Sequence, residues 1–136
     1  MADAAASARA AEVATKASPR SASDTVARLL ELLGNKGLKV FAVIDQQAEA
    51  RAVGLELRET TLVVFGNPSA GTGVMVASPL AALDLPLKVL IWDEPDRGTL
   101  VSFTTPVALA ARYGLSPESE AALEPINGLT DALVAT

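Results

Sequence analysis

The segment Leu87–Thr104, LKVLIWDEPDRGTLVSFT, contains two apolar runs on either side of a short polar run. Both apolar runs are rich in β-branched and aromatic residues, so they predict two strands, Leu87–Trp92 and Thr99–Thr104. The polar run Asp93–Gly98 contains a proline and a glycine, and it predicts a hairpin connection of about six residues. The segment therefore predicts a pair of neighbouring antiparallel strands.

Strand and helix patterns alternate along the rest of the chain. Apolar residues recur at helical spacing after Ser21, at positions 26, 29, 30 and 33, which predicts a helix with one buried face. Ser116-Pro117-Glu118 predicts the start of another helix, which Pro125 divides into two pieces. Further strands are predicted at Glu12–Ala17, Leu38–Ile44 and Thr60–Phe65. A hairpin mixed with helices is typical of an α+β fold, with a mixed or antiparallel sheet and helices mainly on one face.

Length and composition limit the organisation and the chemistry. The 136 residues are enough for one domain, which we expect at residues 10–136, after an Ala/Ser-rich tail or helix extension at residues 1–9. The chain has no cysteine and no histidine. This excludes disulfides, zinc–sulfur sites and catalytic triads or dyads that use either residue. We expect no cofactor and no metal.

Charge and hydropathy limit the partners and the location. The net charge is −5, and the basic residues are scattered rather than clustered, so we expect no nucleic-acid partner. No apolar stretch approaches the length of a membrane span, and the acid at position 3 is not typical of a signal peptide. The prediction is a cytoplasmic protein without membrane contact.

The segment Phe65–Gly73 is a candidate ligand-binding loop, because it follows an apolar strand and is rich in glycine, asparagine and proline. Its spacing resembles a phosphate loop, but the position of the essential lysine is taken by Thr72. Backbone N–H groups of Gly71–Gly73 could still serve a carboxylate or a phosphate at a helix start. The alternative is structural: Asn67-Pro68 is a turn, and the glycines allow close packing.

Two aspartates are candidates for chemistry. Asp84 lies between apolar neighbours, where a carboxylate must be hydrogen-bonded; it either holds loop amides, for example those of the glycine segment, or has a raised pKa and acts as an acid or base. Asp45 precedes a predicted short helix, Gln46–Val53, and is explained as its N-cap. A dyad or cation site formed by Asp45 and Asp84 is the chemical alternative. The large apolar side chains Phe41, Phe65, Met75, Trp92 and Phe103 are expected in the core or at a dimer face.

Several short motifs in this order resemble one known family. They are Gly37-Leu38 with Phe41 and Ile44-Asp45, Ala52-x-Gly54-Leu55-x-Leu57, Phe65-Gly66-Asn67-Pro68, Gly71-Thr72 and Leu83-Asp84-Leu85-Pro86-Leu87. The chain resembles the domain-of-unknown-function 302 family of small bacterial and archaeal proteins from about Thr15 to Leu115. The resemblance implies a two-layer α+β fold of the TATA-binding-protein-like type, often a homodimer, and no known activity. Members typically have Asp-His where this chain has Asp45-Gln46, and often Tyr where it has Phe103.

The leading hypothesis is a domain that binds a small apolar or anionic molecule, or acts as an accessory module, without catalysis. The alternative is a carboxylate-based isomerase or lyase with Asp45 or Asp84 as general base. A homodimer is the expected assembly. The predicted ligand-binding residues are Asp45, Gln46, Phe65, Gly66, Asn67, Pro68, Gly71, Thr72, Asp84 and Pro86.

Overall fold

A computed structural model describes residues 12–136, which contain one five-stranded sheet. Every neighbouring pair of strands is antiparallel, and the spatial order is β1-β5-β4-β3-β2. The strands are β1 (Val13–Ala17), β2 (Lys39–Asp45), β3 (Thr60–Gly66), β4 (Leu87–Glu94) and β5 (Gly98–Thr104). Each predicted strand is therefore present, and the sheet is antiparallel throughout.

The helices of the described residues connect or follow these strands. They are α1 (Ala22–Asn35), α2 (Gln46–Ala52), α3 (Pro68–Ala77), a 3₁₀ helix (Pro79–Asp84), α4 (Pro106–Tyr113), α5 (Pro117–Leu123) and α6 (Pro125–Val134). The helix predicted after Ser21 is α1, and Ser21 Oγ accepts from the Asp24 N–H at 3.1 Å. Pro125 separates α5 from α6, as its missing N–H predicts.

The main core lies between one face of the sheet and the helices α1 and α6. Alternate strand residues point into it, because successive side chains of a strand face opposite sides. Val63, Val89, Ile91, Val101 and Phe103 are buried there against leucines and an isoleucine of the two helices. A second buried cluster joins α3, the 3₁₀ helix, α4 and α5 through Val74, Ala81, Leu109 and Leu123. The two-layer α+β prediction is confirmed.

The predicted six-residue hairpin loop is too long. Glu94 pairs with Gly98, so only Pro95–Arg97 lie outside the two strands. The Glu94 carbonyl accepts from the Arg97 N–H at 3.1 Å, and its carboxylate accepts from the Asp96 N–H at 2.9 Å. Gly98 has φ of +77°, a backbone conformation that favours glycine. With these contacts, Asp93 and Glu94 belong to β4, which extends beyond its apolar run.

The predicted glycine loop is the other clear error. Residues 68–77 form α3, so Gly71 and Gly73 lie inside a helix rather than in a loop. Asn67 provides the N-cap and Pro68 the first helical residue, a combination that favours a helix start despite the glycines that follow. The helix continues beyond the predicted loop to Ala77.

Two further sequence predictions concern residues 1–9 and membrane-spanning segments. The proposed tail or helix extension at residues 1–9 lies outside the described residues. Among the helices of residues 12–136, none has both the length and the apolar character needed to cross a membrane.

Candidate functional site

A cavity of about 520 Å³ lies at the end of the sheet where β3 ends and β4 begins. Its volume is within the range of pockets that hold small molecules, roughly 300–1,000 Å³. Phe65 of β3 and Leu87 of β4 are paired residues of the sheet and form the floor. The other walls are α3, the junction of α5 with α6, and the segment 36–41 that leads into β2. Four separate parts of the fold therefore meet around one cavity.

The walls of the cavity are mostly apolar. Phe65, Ile126 and Leu129 belong to the main core cluster, and Leu123 belongs to the second cluster. Leu87 packs against both clusters, so the cavity lies where the two clusters meet. The polar side chains of the lining within residues 12–136 are Lys36, Asn67 and Thr72. This combination suits a ligand that is apolar over most of its surface.

Asn67 is the N-cap of α3, and this end of the helix borders the cavity. Its Oδ1 accepts from the Ser69 and Ala70 N–H groups, at 3.0 and 3.4 Å. Pro68 has no N–H, and the Gly71 N–H donates to the Asn67 carbonyl at 2.9 Å. Each amide of the first turn is therefore either absent or bonded. The predicted use of Gly71–Gly73 amides for a phosphate has no geometric support, because these residues lie within the helix.

The structure divides the predicted binding residues into two groups. Seven line the cavity, and they are Phe65, Gly66, Asn67, Pro68, Gly71, Thr72 and Pro86. The other three, Asp45, Gln46 and Asp84, are outside its lining. The cavity is thus close to the predicted loop, but it contains neither aspartate that was considered for catalysis.

Asp45 and Asp84 are associated with opposite ends of β3. Asp45 pairs with Thr61, and its Oδ1 accepts from the Ala48 N–H at 2.9 Å, as predicted for the N-cap of α2. Asp84 leads into β4, whose first residue pairs with Phe65. The strand rises about 13 Å from Thr61 to Phe65. The register thus argues against the predicted dyad, and residues 12–136 contain no cluster of acids suited to a metal.

Asp84 connects the 3₁₀ helix to α4. Its Oδ2 accepts hydrogen bonds from the Tyr113 hydroxyl and from Arg112 Nη1, the latter at 2.8 Å. The bond from Tyr113, with a smaller contribution from Arg112, lowers the pKa of Asp84 even though burial opposes this effect. The same bond raises the pKa of Tyr113. Asp84 thus holds α4 side chains rather than glycine-segment amides, and its pKa is lowered, the opposite of what the acid–base alternative requires.

Several lining residues were missed or assigned elsewhere by the sequence analysis. Phe41 and Met75 were expected in the core or at a dimer face, but both line the cavity. The residues from the α5–α6 junction and Lys36 were not considered at all. The Pro125 break gave the position of that junction in the chain, but no sequence signal placed it beside Phe65.

The comparisons with known proteins agree with this fold. The model for "Domain of unknown function DUF302" matches residues 14–133. The chain belongs to the DUF302 family. A crystal structure of an uncharacterized conserved DUF302 protein from Bacillus stearothermophilus is similar with a TM-score of 0.76 and 19% identity, over 90% of this chain and 95% of that one. The family resemblance and the fold class are both confirmed.

Two curated relatives are longer than this chain and are named as ion channels. "Fluoride-specific ion channel FluC 1" of Brucella suis biovar 1 (strain 1330) is 33% identical over 110 residues, which cover 81% of this chain and 43% of the relative. The protein of the same name from Brucella abortus biovar 1 (strain 9-941) has the same identity over 41% of its length. The chain spans less than half the length of these relatives.

Proposed function

We propose that this DUF302 domain binds a small apolar molecule in the cavity at the end of β3 and does not catalyse a reaction. The observation that carries the proposal is the cavity itself, about 520 Å³ with mostly apolar walls. Apolar surfaces of this size favour association with ligands that remove them from water. Phe65, Leu123 and Ile126 are almost fully buried side chains of its wall, so the site is built into the core.

The placement of the acids favours binding over catalysis. The enzyme alternative needs a carboxylate of suitable pKa next to a bound substrate. Asp45 lies outside the cavity and caps α2. Asp84 also lies outside it, with a lowered pKa and two side-chain hydrogen bonds. A general base in the cavity would therefore have to be a group other than these two aspartates.

The helix α3 offers a matched pair of variants to test the binding site. Gly71 and Gly73 both lie in α3, and a Cβ built on either residue meets nothing within 4 Å, but only Gly71 lines the cavity. We expect 1-decanol, used as an apolar probe, to raise the Tm of the wild-type protein and of Gly73→Leu. A hundredfold excess over the Kd would stabilise the protein by about 2.7 kcal/mol.

In Gly71→Leu the added side chain reduces the cavity, so the same concentration of 1-decanol should give little or no rise in Tm. An equal rise in both variants would place the probe elsewhere. No rise in the wild-type protein, over the soluble range of 1-decanol and shorter alcohols, would count against an apolar site.

We also propose a second candidate function, as an accessory domain of a membrane channel. It is favoured by the relatives named as fluoride-specific ion channels, in which the segment matching this chain makes up 41–43% of the length. The test replaces the matching segment of the Brucella suis relative with this chain and measures fluoride efflux from proteoliposomes. An accessory role predicts altered efflux when the segment is deleted and its restoration by this chain. Equal efflux from the intact relative, the deletion variant and the variant that carries this chain would contradict the accessory role.

Self-association is a further proposal, and the edge strand β2 is its candidate surface. Val40, Phe41 and Val43 of this strand are 37–45% exposed, and an unpaired edge can join a second strand. Light scattering should give the mass of a dimer, and Val43→Lys should give that of a monomer. A monomeric wild-type protein would refute self-association.

A cytoplasmic location also stays a prediction, to be checked by cell fractionation.

A further inference from the structure

We infer that the molecule bound in the cavity is a single-chain amphiphile whose anionic head group contacts Lys36. This inference rests on the proposed apolar binding site and adds the chemistry of the ligand's polar end. It is carried by three observations: the buried apolar lining of the cavity, the exposed Lys36 in that lining, and the hydrogen-bond donors of Lys36 and Asn67.

The buried apolar lining of the cavity suits an alkyl chain. Phe65, Ile126 and Leu129 are 2–3% exposed and line it, so a chain entering the cavity reaches side chains of the main core. Met75 of α3 also lines it, and its flexible thioether can adapt to chains of different shape. No acid is present among the lining residues of the described part of the chain.

Two of the three polar side chains of the lining, Lys36 and Asn67, belong to one end of the sheet. Lys39 pairs with Gly66, so Lys36, three residues before Lys39, and Asn67, directly after Gly66, approach the cavity from the same end of the β2–β3 pair. Lys36 is solvent-exposed, and within residues 12–136 its ammonium has neither an ion-pair partner nor a hydrogen bond. The positive charge at this end is therefore available to a ligand.

Asn67 adds hydrogen-bond donors at this end. Its Oδ1 is occupied by the Ser69 and Ala70 N–H groups, so its orientation leaves the Nδ2 group without a partner in the described residues. An ammonium and an amide NH₂ group can donate but cannot accept. A head group that only accepts hydrogen bonds, such as a carboxylate, matches them better than a cationic or purely donating group.

The test compares decanoate with 1-decanol, which has the same chain and no charge at neutral pH. Binding is measured by isothermal titration calorimetry for the wild-type protein, Lys36→Gln and Lys88→Gln. Lys88 is a matched control, because it is also an exposed lysine but lies on the opposite face of β4 from Leu87 and outside the cavity lining. Both variants change the net charge by the same amount.

We expect Lys36→Gln to weaken decanoate binding by about twofold to fivefold, the effect of an exposed ion pair, and to leave 1-decanol binding unchanged. Lys88→Gln should leave both affinities unchanged. The inference is overturned if Lys36→Gln affects both probes equally or neither, or if Lys88→Gln has the same effect on decanoate. If neither probe binds the wild-type protein, the proposed apolar site itself fails, which is a different result from binding without dependence on Lys36.

Discussion

Replacing two exposed glycines by alanine should change the stability of this protein in opposite directions. A Cβ built on Gly73 or on Gly54 meets no atom within 4 Å, so neither substitution creates a steric clash. Gly73 lies inside α3, where alanine is favoured over glycine by about 1 kcal/mol. Gly54 has φ of +77°, where an L-residue costs roughly 1–2 kcal/mol. The backbone conformation alone therefore sets the sign of each effect.

Calorimetric melting and urea unfolding measure both effects. For a chain of 136 residues, 1 kcal/mol corresponds to a change in Tm of about 3–5 °C. Gly73→Ala should raise the Tm by about that amount, and Gly54→Ala should lower it by the same amount or more. If Gly73→Ala lowers the Tm as Gly54→Ala does, α3 is not helical at residue 73. The wall of the cavity would then be a loop, as the glycine content suggested.

Three further predictions concern α3 with its N-cap and the 3₁₀ helix that follows it. Asp84→Asn should lower the free energy of unfolding by about 1 kcal/mol at neutral pH. Because the folded state lowers the pKa of Asp84, the stabilisation by this carboxylate is complete above the ordinary pKa of 3.8 and is lost as the pH falls through the lowered pKa. Urea unfolding from pH 7 to 3 should therefore show a difference between variant and wild type that shrinks at the acidic end. Asn67→Ala should cost about 1 kcal/mol because α3 loses its cap, whereas Asn67→Ser should recover most of it in the same assay. Gly73→Ala should leave the Kd for 1-decanol in titration calorimetry unchanged, because α3 is already formed without ligand; a tighter Kd would show that binding must first order this helix.

The fold was predictable where local signals and tertiary packing agree. The β-branched runs that form β3 and β4 lie in the interior of the sheet, so their composition reflects burial. Ser21 and Asp45 predicted the starts of α1 and α2 because an N-cap depends on residues within one turn. The hairpin loop was predicted too long because hydrogen bonds to Glu94 hold acidic residues in strand geometry.

Predictions failed where one local signal outweighed another, or where the structure depends on contacts from distant residues. The glycines of α3 oppose a helix, but Asn67 satisfies its first turn and Val74 is 1% exposed in the second cluster. The Asn-Pro pair was the signal that could have identified the helix start. The wall from α5 and α6 had no local signal, because its approach to Phe65 depends on how the whole chain is arranged.

The position of the cavity connects ligand binding to the stability of the whole domain. The cavity lies between two hydrophobic clusters, and Leu87 packs against both, so a bound chain would add contacts to each cluster at once. A ligand that binds only the folded state must then raise its stability. α3 is the part of this wall with the weakest helix-forming sequence, because it contains two glycines and two valines. Added contacts should therefore stabilise α3 more than α6, the other long helix that lines the cavity.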